Sequence, residues 1–444
     1  MRGCTRSPGR SAIFWRGLSR QSEVYPVATA TPVRVILPVL MLPVLMLAVF
    51  TISLGFGILL PQLPALIERL LGIDSTPAQV SRATGLLTAI YMLALFICAP
   101  VWGWLSDTWG RRRILLIGLI GFSIAMIASV LFETLAAIYV GRAVTGMFAA
   151  AITPVALAAV TDYSSGTGML GRRLSFVSMA GISGFLLGPT LGVSLSQLPV
   201  VTGGAAGDLT VPLLATGGLA LIAALAVAVS LPRAILGTRQ LAMAPVAATA
   251  PRRVWLLLML GFVVSAGVGV FEVGLTLRGK QELSLTPFQI ATMFTLCSGV
   301  MIVVQAAVFS PQVRPEFTRW LVAPAFTALA AGLFAVPLAE SFASMIMVTG
   351  AVAASAGILS PILTYWTAAG AGYKSGAALG RQTSTVSLGA AVGSAAGGLL
   401  NDVTWLPNAA FVLMAGVALL AVWPSLRLPG RLMPSAAAPQ ETGS

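Results

Sequence analysis

The chain has 444 residues, 57% of them hydrophobic and only 9% charged, with 26 Lys and Arg against 13 Asp and Glu. A soluble domain draws roughly 25% of its residues from the charged set, so this composition excludes a water-soluble globule and leaves a polytopic membrane protein. With no histidine and three scattered cysteines, Cys4, Cys98 and Cys297, it also excludes histidine-based catalysis, a histidine-ligated metal and a disulfide framework.

A membrane helix needs about 20 mostly apolar residues. In chain order the hydropathy pattern predicts twelve: 37–60, 84–102, 113–131, 135–160, 175–196, 210–231, 254–277, 287–310, 319–338, 343–366, 379–400 and 404–424. Prolines interrupt the first and last runs, which membrane helices tolerate when neighbours satisfy the freed backbone groups. The expected fold is all-α: a cytoplasmic tail over 1–36, a six-helix bundle over 37–231, a linker over 232–253, a second six-helix bundle over 254–424 and a tail over 425–444.

Alternating the spans places 21 of the 26 basic residues on the side that carries the N-terminus. Arg69, Arg82, Arg278 and Lys280 fall on the other side, and Arg142 lies inside a span. Basic loops stay in the cytoplasm, so both termini are expected there, in a plasma membrane of bacterial inner-membrane type. The same rule assigns the basic excess to the lipid bilayer as partner and not to nucleic acid.

The two halves repeat at an offset of 209. Gly171-Arg172-Arg173-Leu174-Ser175-Phe176-Val177-Ser178 lies over Gly380-Arg381-Gln382-Thr383-Ser384-Thr385-Val386-Ser387, and Gly184 and Gly188 fall on Gly393 and Gly397. A duplicated six-helix unit gives two pseudo-symmetric bundles with a cavity between them.

Between the second and third spans stands Gly103-Trp104-Leu105-Ser106-Asp107-Thr108-Trp109-Gly110-Arg111-Arg112-Arg113-Ile114-Leu115. It resembles the signature loop of the major facilitator superfamily, with Thr108 at a position that is often basic in that family. The glycines suit a tight turn at the membrane surface, and the acid and arginines suit pairing across the cytoplasmic mouth. Arg142-Ala143-Val144-Thr145-Gly146 looks like the family's Arg–x–x–x–Gly motif, followed by Asp162 at the end of the same span. In the fifth span Gly181, Gly184, Gly188 and Gly192 share one face and, with Pro189, resemble the Gly–Pro motif of the exporter branch. Close helix packing would account for the same glycines. The stretch 84–192 is most similar to the tetracycline- and multidrug-type proton antiporters.

The resemblance implies a secondary active transporter that moves a small molecule by alternating access, coupled to protons and directed outward. An uptake symporter and a non-transporting sensor remain alternatives. It implies no enzyme activity, no cofactor and no metal, and a functional monomer. A phosphate-binding Gly-x-x-x-x-Gly-Lys-Ser/Thr loop, which a primary pump would need, is absent from the sequence.

Charges inside spans are costly and mark function. Of the thirteen acids only Glu272 lies within an apolar run, towards the outer mouth. It and Arg142 are the proton-coupling candidates, with an interfacial acid and a structural arginine as the plainer readings. Tyr91, Thr145 and Gln305 are candidate polar contacts of a substrate cavity, or interhelical hydrogen bonders. Gly103, Asp107, Gly110, Arg111, Arg112, Asp162 and Arg381 form the expected cytoplasmic gate, with Asp107 closing against the start of the eleventh helix.

Overall fold

The computed structural model describes residues 33–72, 75–131, 134–163, 167–197, 209–232, 251–308, 310, 317–371, 375–400 and 408–428. Most of the tails and of the 232–253 linker therefore lie outside the described residues. Helices in the first half are α1 (Val33–Leu59), α2 (Leu63–Leu71), α3 (Pro77–Trp109), α4 (Arg111–Ala128), α5 (Leu135–Ala149), α6 (Thr153–Tyr163), α7 (Thr167–Ser196) and α8 (Thr210–Ser230). The second half contains α9 (Pro251–Gln281), α10 (Pro287–Val308), α11 (Thr318–Ala335), α12 (Phe342–Ala371), α13 (Ser375–Leu399) and α14 (Ala409–Leu426).

Local chemistry explains where the helices depart from the hydropathy runs. Helix α3 starts seven residues before the predicted 84, because Thr76 and Gln79 form a reciprocal capping box around Pro77 (Gln79 N to Thr76 Oγ1 3.3 Å, Thr76 N to Gln79 Oε1 2.9 Å). The same Thr-Pro-x-Gln sequence begins α10, where Thr286 and Gln289 make the same two bonds. The predicted span 135–160 is two helices, since Pro154 has no N–H to continue the ladder and α6 restarts around it. Helix α1, by contrast, runs unbroken through Pro38 and Pro43.

Eleven helices among the described residues are long and apolar enough to cross a membrane. Helix α13, expected over 379–400 as a twelfth span, is rich in Gly, Ala, Ser and Thr. Its position explains that composition, for it is pressed between α9 and α3. A Cβ on Gly393 would strike the Ala266 carbonyl oxygen of α9, and one on Gly398 would lie 2.5 Å from Gly85 Cα of α3. Only small side chains fit there.

The N-terminal half repeats the arrangement. A Cβ on Gly184 of α7 would strike the Phe50 carbonyl of α1, and Gly188 lies on Gly57. The residues matched by the repeat, Gly184 with Gly393 and Gly188 with Gly397, thus seat equivalent helices on α1 and α9. Polar bonds tie the other helices of each half: Ser123 Oγ to Gly217 O (2.7 Å, α4 to α8), Trp102 Nε1 to Met147 O (2.8 Å, α3 to α5) and Trp366 Nε1 to Thr318 Oγ1 (3.1 Å, α12 to α11). The two six-helix halves meet along two seams, α3 with α13 and α7 with α10.

The loop between α3 and α4 defines one end of the bundle, called here the signature-loop end. All seven described tryptophans (Trp102, Trp104, Trp109, Trp255, Trp320, Trp366 and Trp423) lie in helix turns near it, and five of them are exposed. That is the position of an interfacial aromatic belt.

Overpacking a tight contact typically costs about 1–3 kcal/mol. Gly393→Val should therefore lower the unfolding temperature of the detergent-purified protein clearly. Gly416→Ala, whose Cβ would meet nothing within 4 Å, should leave it unchanged. Equal melting of the two variants would contradict the packing described.

Candidate functional site

At the signature-loop end the turn rests on Gly110, whose φ of +91° only glycine adopts easily. Gly103 does not take part in the turn, contrary to the expectation from the sequence. It sits inside α3, and a Cβ there would face open space. Arg111 gathers the loop: its Nη1 lies 2.5 Å from Asp107 Oδ1 and 2.5 Å from Ser106 Oγ, and its Nε lies 3.1 Å from Asp162 Oδ2 at the end of α6. Arg112 donates to the Ala228 carbonyl of α8. These bonds all stay within the first half. Arg381 lies near the start of α13 with an exposed side chain.

The opposite end is different. Lys280 Nζ of α9 lies 2.5 Å from Glu68 Oε2 of α2, Gln281 Nε2 reaches Ser81 Oγ (3.3 Å) and the Pro77 carbonyl (3.3 Å), and Thr295 Oγ1 of α10 donates to the Leu186 carbonyl of α7 (3.3 Å). With the Gly85–Gly398 approach, these contacts latch the two halves together. These side-chain bonds between the halves all lie towards this end. Next to the latch, Arg278 is buried in the last turn of α9. It donates to the Pro337 (2.9 Å) and Ala339 (3.1 Å) carbonyls and to Asn408 Oδ1 (3.3 Å), and it pairs with Glu282 at 2.6 Å. It braces α9 to the turn after α11 and to the start of α14.

Arg142 lies seven residues, or roughly 10 Å, into α5 from the opposite end. Gly146 explains its setting. A Cβ at Gly146 would come 2.6 Å from the Tyr91 carbonyl oxygen, so the glycine lets α5 close on α3. One turn earlier, the Arg142 guanidinium then falls over the Tyr91 ring, 4.5 Å from its centroid, and 5.7 Å from that of Phe56. Phe56 stacks on Tyr91 (5.2 Å) and on Phe185 (5.8 Å), and Phe185 meets Phe294 of the second half edge-on at 6.0 Å. Thr145 is buried beside this cluster, but its hydroxyl bonds the Gly141 carbonyl of its own helix (2.6 Å).

Glu272 lies nine residues, roughly 13 Å, from the opposite end of α9 and is half-buried. Among the described residues its carboxylate makes no ion pair, and it is within electrostatic reach of Cys297 on α10. Cys297 is one turn from Phe294, so α10 links the Glu272 side of the site to the aromatic rings. Gln305 is buried but lies three residues from the signature-loop end of α10, at a different depth from Arg142. Gly181, Gly184, Gly188 and Gly192 all face α1, and α7 continues as one helix through Pro189.

A cavity of about 370 Å³ opens at the opposite end between α2, α7 and α10, lined by Gln62, Leu66, Arg69, Val193 and Phe288 among others. It contains none of the cavity residues expected from the sequence. Nothing in the hydropathy pattern points to Glu68, Lys280 or the three phenylalanines. The repeated Thr-Pro-x-Gln box was the one available signal that the starts of α3 and α10 are equivalent.

Two repeated helix bundles meeting along two seams, latched at one end and with an intraspan arginine and acid, define a multi-pass membrane transporter of small molecules and not an enzyme. The chain belongs to the major facilitator superfamily, whose family model matches residues 45–379. It is 25% identical over 388 residues to Multidrug resistance protein 2 of Bacillus subtilis (strain 168), covering 84% of this chain and 93% of that one. Over 146 residues it is 34% identical to the class C tetracycline resistance protein of Escherichia coli, 33% of this chain and 35% of the relative. In fold it is similar to the human organic anion transporter MFSD10 (TETRAN), with a TM-score of 0.69 at 21% identity over 89% of this chain and all of that one.

A partly exposed ion pair contributes about 0–1 kcal/mol, enough to shift a two-state equilibrium up to roughly fivefold. Lys280→Ala should raise the labelling rate of a cysteine placed at Ser81, on a background without native cysteines, by a few-fold. The double exchange Glu68→Lys with Lys280→Glu should restore it. Unchanged labelling in Lys280→Ala would mean that the pair does not hold this end shut.

Proposed function

We propose that the chain is a proton-coupled exporter of drug-like or amphipathic small molecules. It acts as a monomer in a bacterial plasma membrane, with the signature-loop end and both termini in the cytoplasm. The observation that carries this reading is the near full-length similarity to a multidrug resistance protein. The latch at one end and the self-contained Asp107–Arg111–Asp162 cluster at the other support a carrier whose halves part at the signature-loop end. The excess of basic residues at that end supports its cytoplasmic placement.

In this mechanism cargo enters between the halves from the cytoplasm. The latch at the opposite end then breaks, and Asp107 closes against the start of α13, where the helix N-terminus and Arg381 attract a carboxylate. Glu272 is the proton-carrying acid, and Arg142 is its counterpart in the first half. A lock of many kcal/mol would trap one state, so the small energy of the exposed pairs suits a gate.

Two outcomes follow. Cells expressing the protein should accumulate less of at least some members of a panel of hydrophobic compounds, and collapsing the proton gradient should remove the difference. Glu272→Gln should abolish this gradient-driven export while leaving cargo exchange in proteoliposomes intact. Full export by Glu272→Gln would remove the acid from the coupling scheme, and higher accumulation would point to an uptake symporter. For the gate, Asp107→Asn should increase labelling of a cysteine at Ser384 and slow turnover. Wild-type labelling and transport would leave the loop as a membrane anchor only.

A further inference from the structure

The exporter reading leaves the chemistry of the cargo open, and the surroundings of Arg142 narrow it. The side chain is 4% exposed, yet its Nε and Nη2 have no hydrogen-bond partner. A guanidinium carries five N–H donors and accepts nothing, and a buried donor left unpaired costs about 1–3 kcal/mol or more. Thr145 does not relieve them: its hydroxyl donates to Gly141 O, and neither Arg142 Nε nor Nη2 has a bond to it. Two rings already lie against the group, Tyr91 at 4.5 Å and Phe56 at 5.7 Å. What it lacks is an oxygen.

The rings beside it form a nearly parallel series. Phe56 is tilted only 20° from Tyr91 and 24° from Phe185. The series ends on Phe294, where it crosses from α7 to α10 and so from one half to the other. Relative movement of those two helices parts Phe185 from Phe294 and opens the end of a ring series whose other members, Phe56 and Tyr91, lie under the guanidinium.

We infer that this cluster is the cargo-recognition surface, and that the cargo class is flat aromatic molecules bearing a carbonyl or carboxylate oxygen on the ring edge. The oxygen accepts from Arg142 Nε and Nη2, and the ring packs against the aromatic series that ends on Phe185. A permanently cationic ring without an acceptor is disfavoured, because it brings a second positive charge towards a buried guanidinium. The inference rests on the exporter reading for its direction of transport, but the recognition step is a binding property and can be tested apart from it.

The test measures binding of four ring-matched probes to the purified full-length protein in lipid nanodiscs: 2-naphthoate, 2-naphthamide, 2-ethylnaphthalene and N-methylquinolinium. Naphthoate and naphthamide should bind at least about tenfold tighter than the other two. This comparison needs no variant, so it stands even if substitutions impair folding. In Arg142→Met, which removes every side-chain donor, the preference should vanish, whereas Phe185→Leu should weaken the three naphthalenes alike. Equal binding of all four probes by the unsubstituted protein, or an acceptor preference that survives Arg142→Met, overturns the inference. If the preference is absent and the protein still lowers drug accumulation in cells, the cargo class falls and the exporter reading stands. If the preference is present and no compound is exported, the recognition surface stands and the exporter reading falls.

Discussion

Helices in a bilayer gain nothing by hiding apolar surface from one another, because lipid is as apolar as leucine; they associate where backbones can touch. That constraint organises this molecule. Gly184 on the Phe50 carbonyl, Gly393 on the Ala266 carbonyl and Gly146 on the Tyr91 carbonyl are contacts that no larger residue allows. All three are internal to a half and join α1 to α7, α9 to α13 and α5 to α3. They pack each half tightly within itself. Between the halves the comparable contact is Gly85 with Gly398, close to the Glu68–Lys280 pair. Tightly packed interiors and separable seams are what alternating access requires of a pair of bundles.

The same packing places the chemistry. Arg142 acquires its aromatic cover because Gly146, one turn away, brings α5 against α3. The Arg–x–x–x–Gly spacing is therefore a positioning device: the glycine sets the distance and the helical turn aims the arginine. The four glycines of α7 have a clear packing function against α1, with Gly188 resting on Gly57 next to Pro189. On the other side of the seam, α10 carries both Phe294 and Cys297 on one face, so a single helix touches the aromatic rings and lies within reach of Glu272.

Much of this was legible in the sequence, because apolar runs, basic loops and the Gly-Arg repeat each express a constraint that acts locally. The helix ends were less so. Hydropathy marks where apolar residues begin, whereas Thr76 and Pro77 start α3 before that point. The span 135–160 read as one helix because its apolarity continues through Pro154, while backbone bonding does not. Helix α13 illustrates the reverse: it is less apolar than the other spans because other helices, and not lipid, surround much of it. The rings of Phe56, Phe185 and Phe294 could not be singled out among 19 phenylalanines, since their meeting depends on three helices from two halves. Glu68 and Lys280 are 212 positions apart, and nothing local connects them.

The tryptophans have a mechanical consequence. Among the described residues they occur only near the signature-loop end, where the exposed indoles fix that end at one membrane–water boundary. A change in hydrocarbon thickness is then felt at the latched end, by tilt or by drawing Glu68 and Lys280 into or out of the headgroup region. Burial in a thicker bilayer strengthens the attraction between these two charges, and wetting in a thinner one weakens it. The thickness of the surrounding lipid thereby becomes a parameter of the transport cycle, read at the latched end.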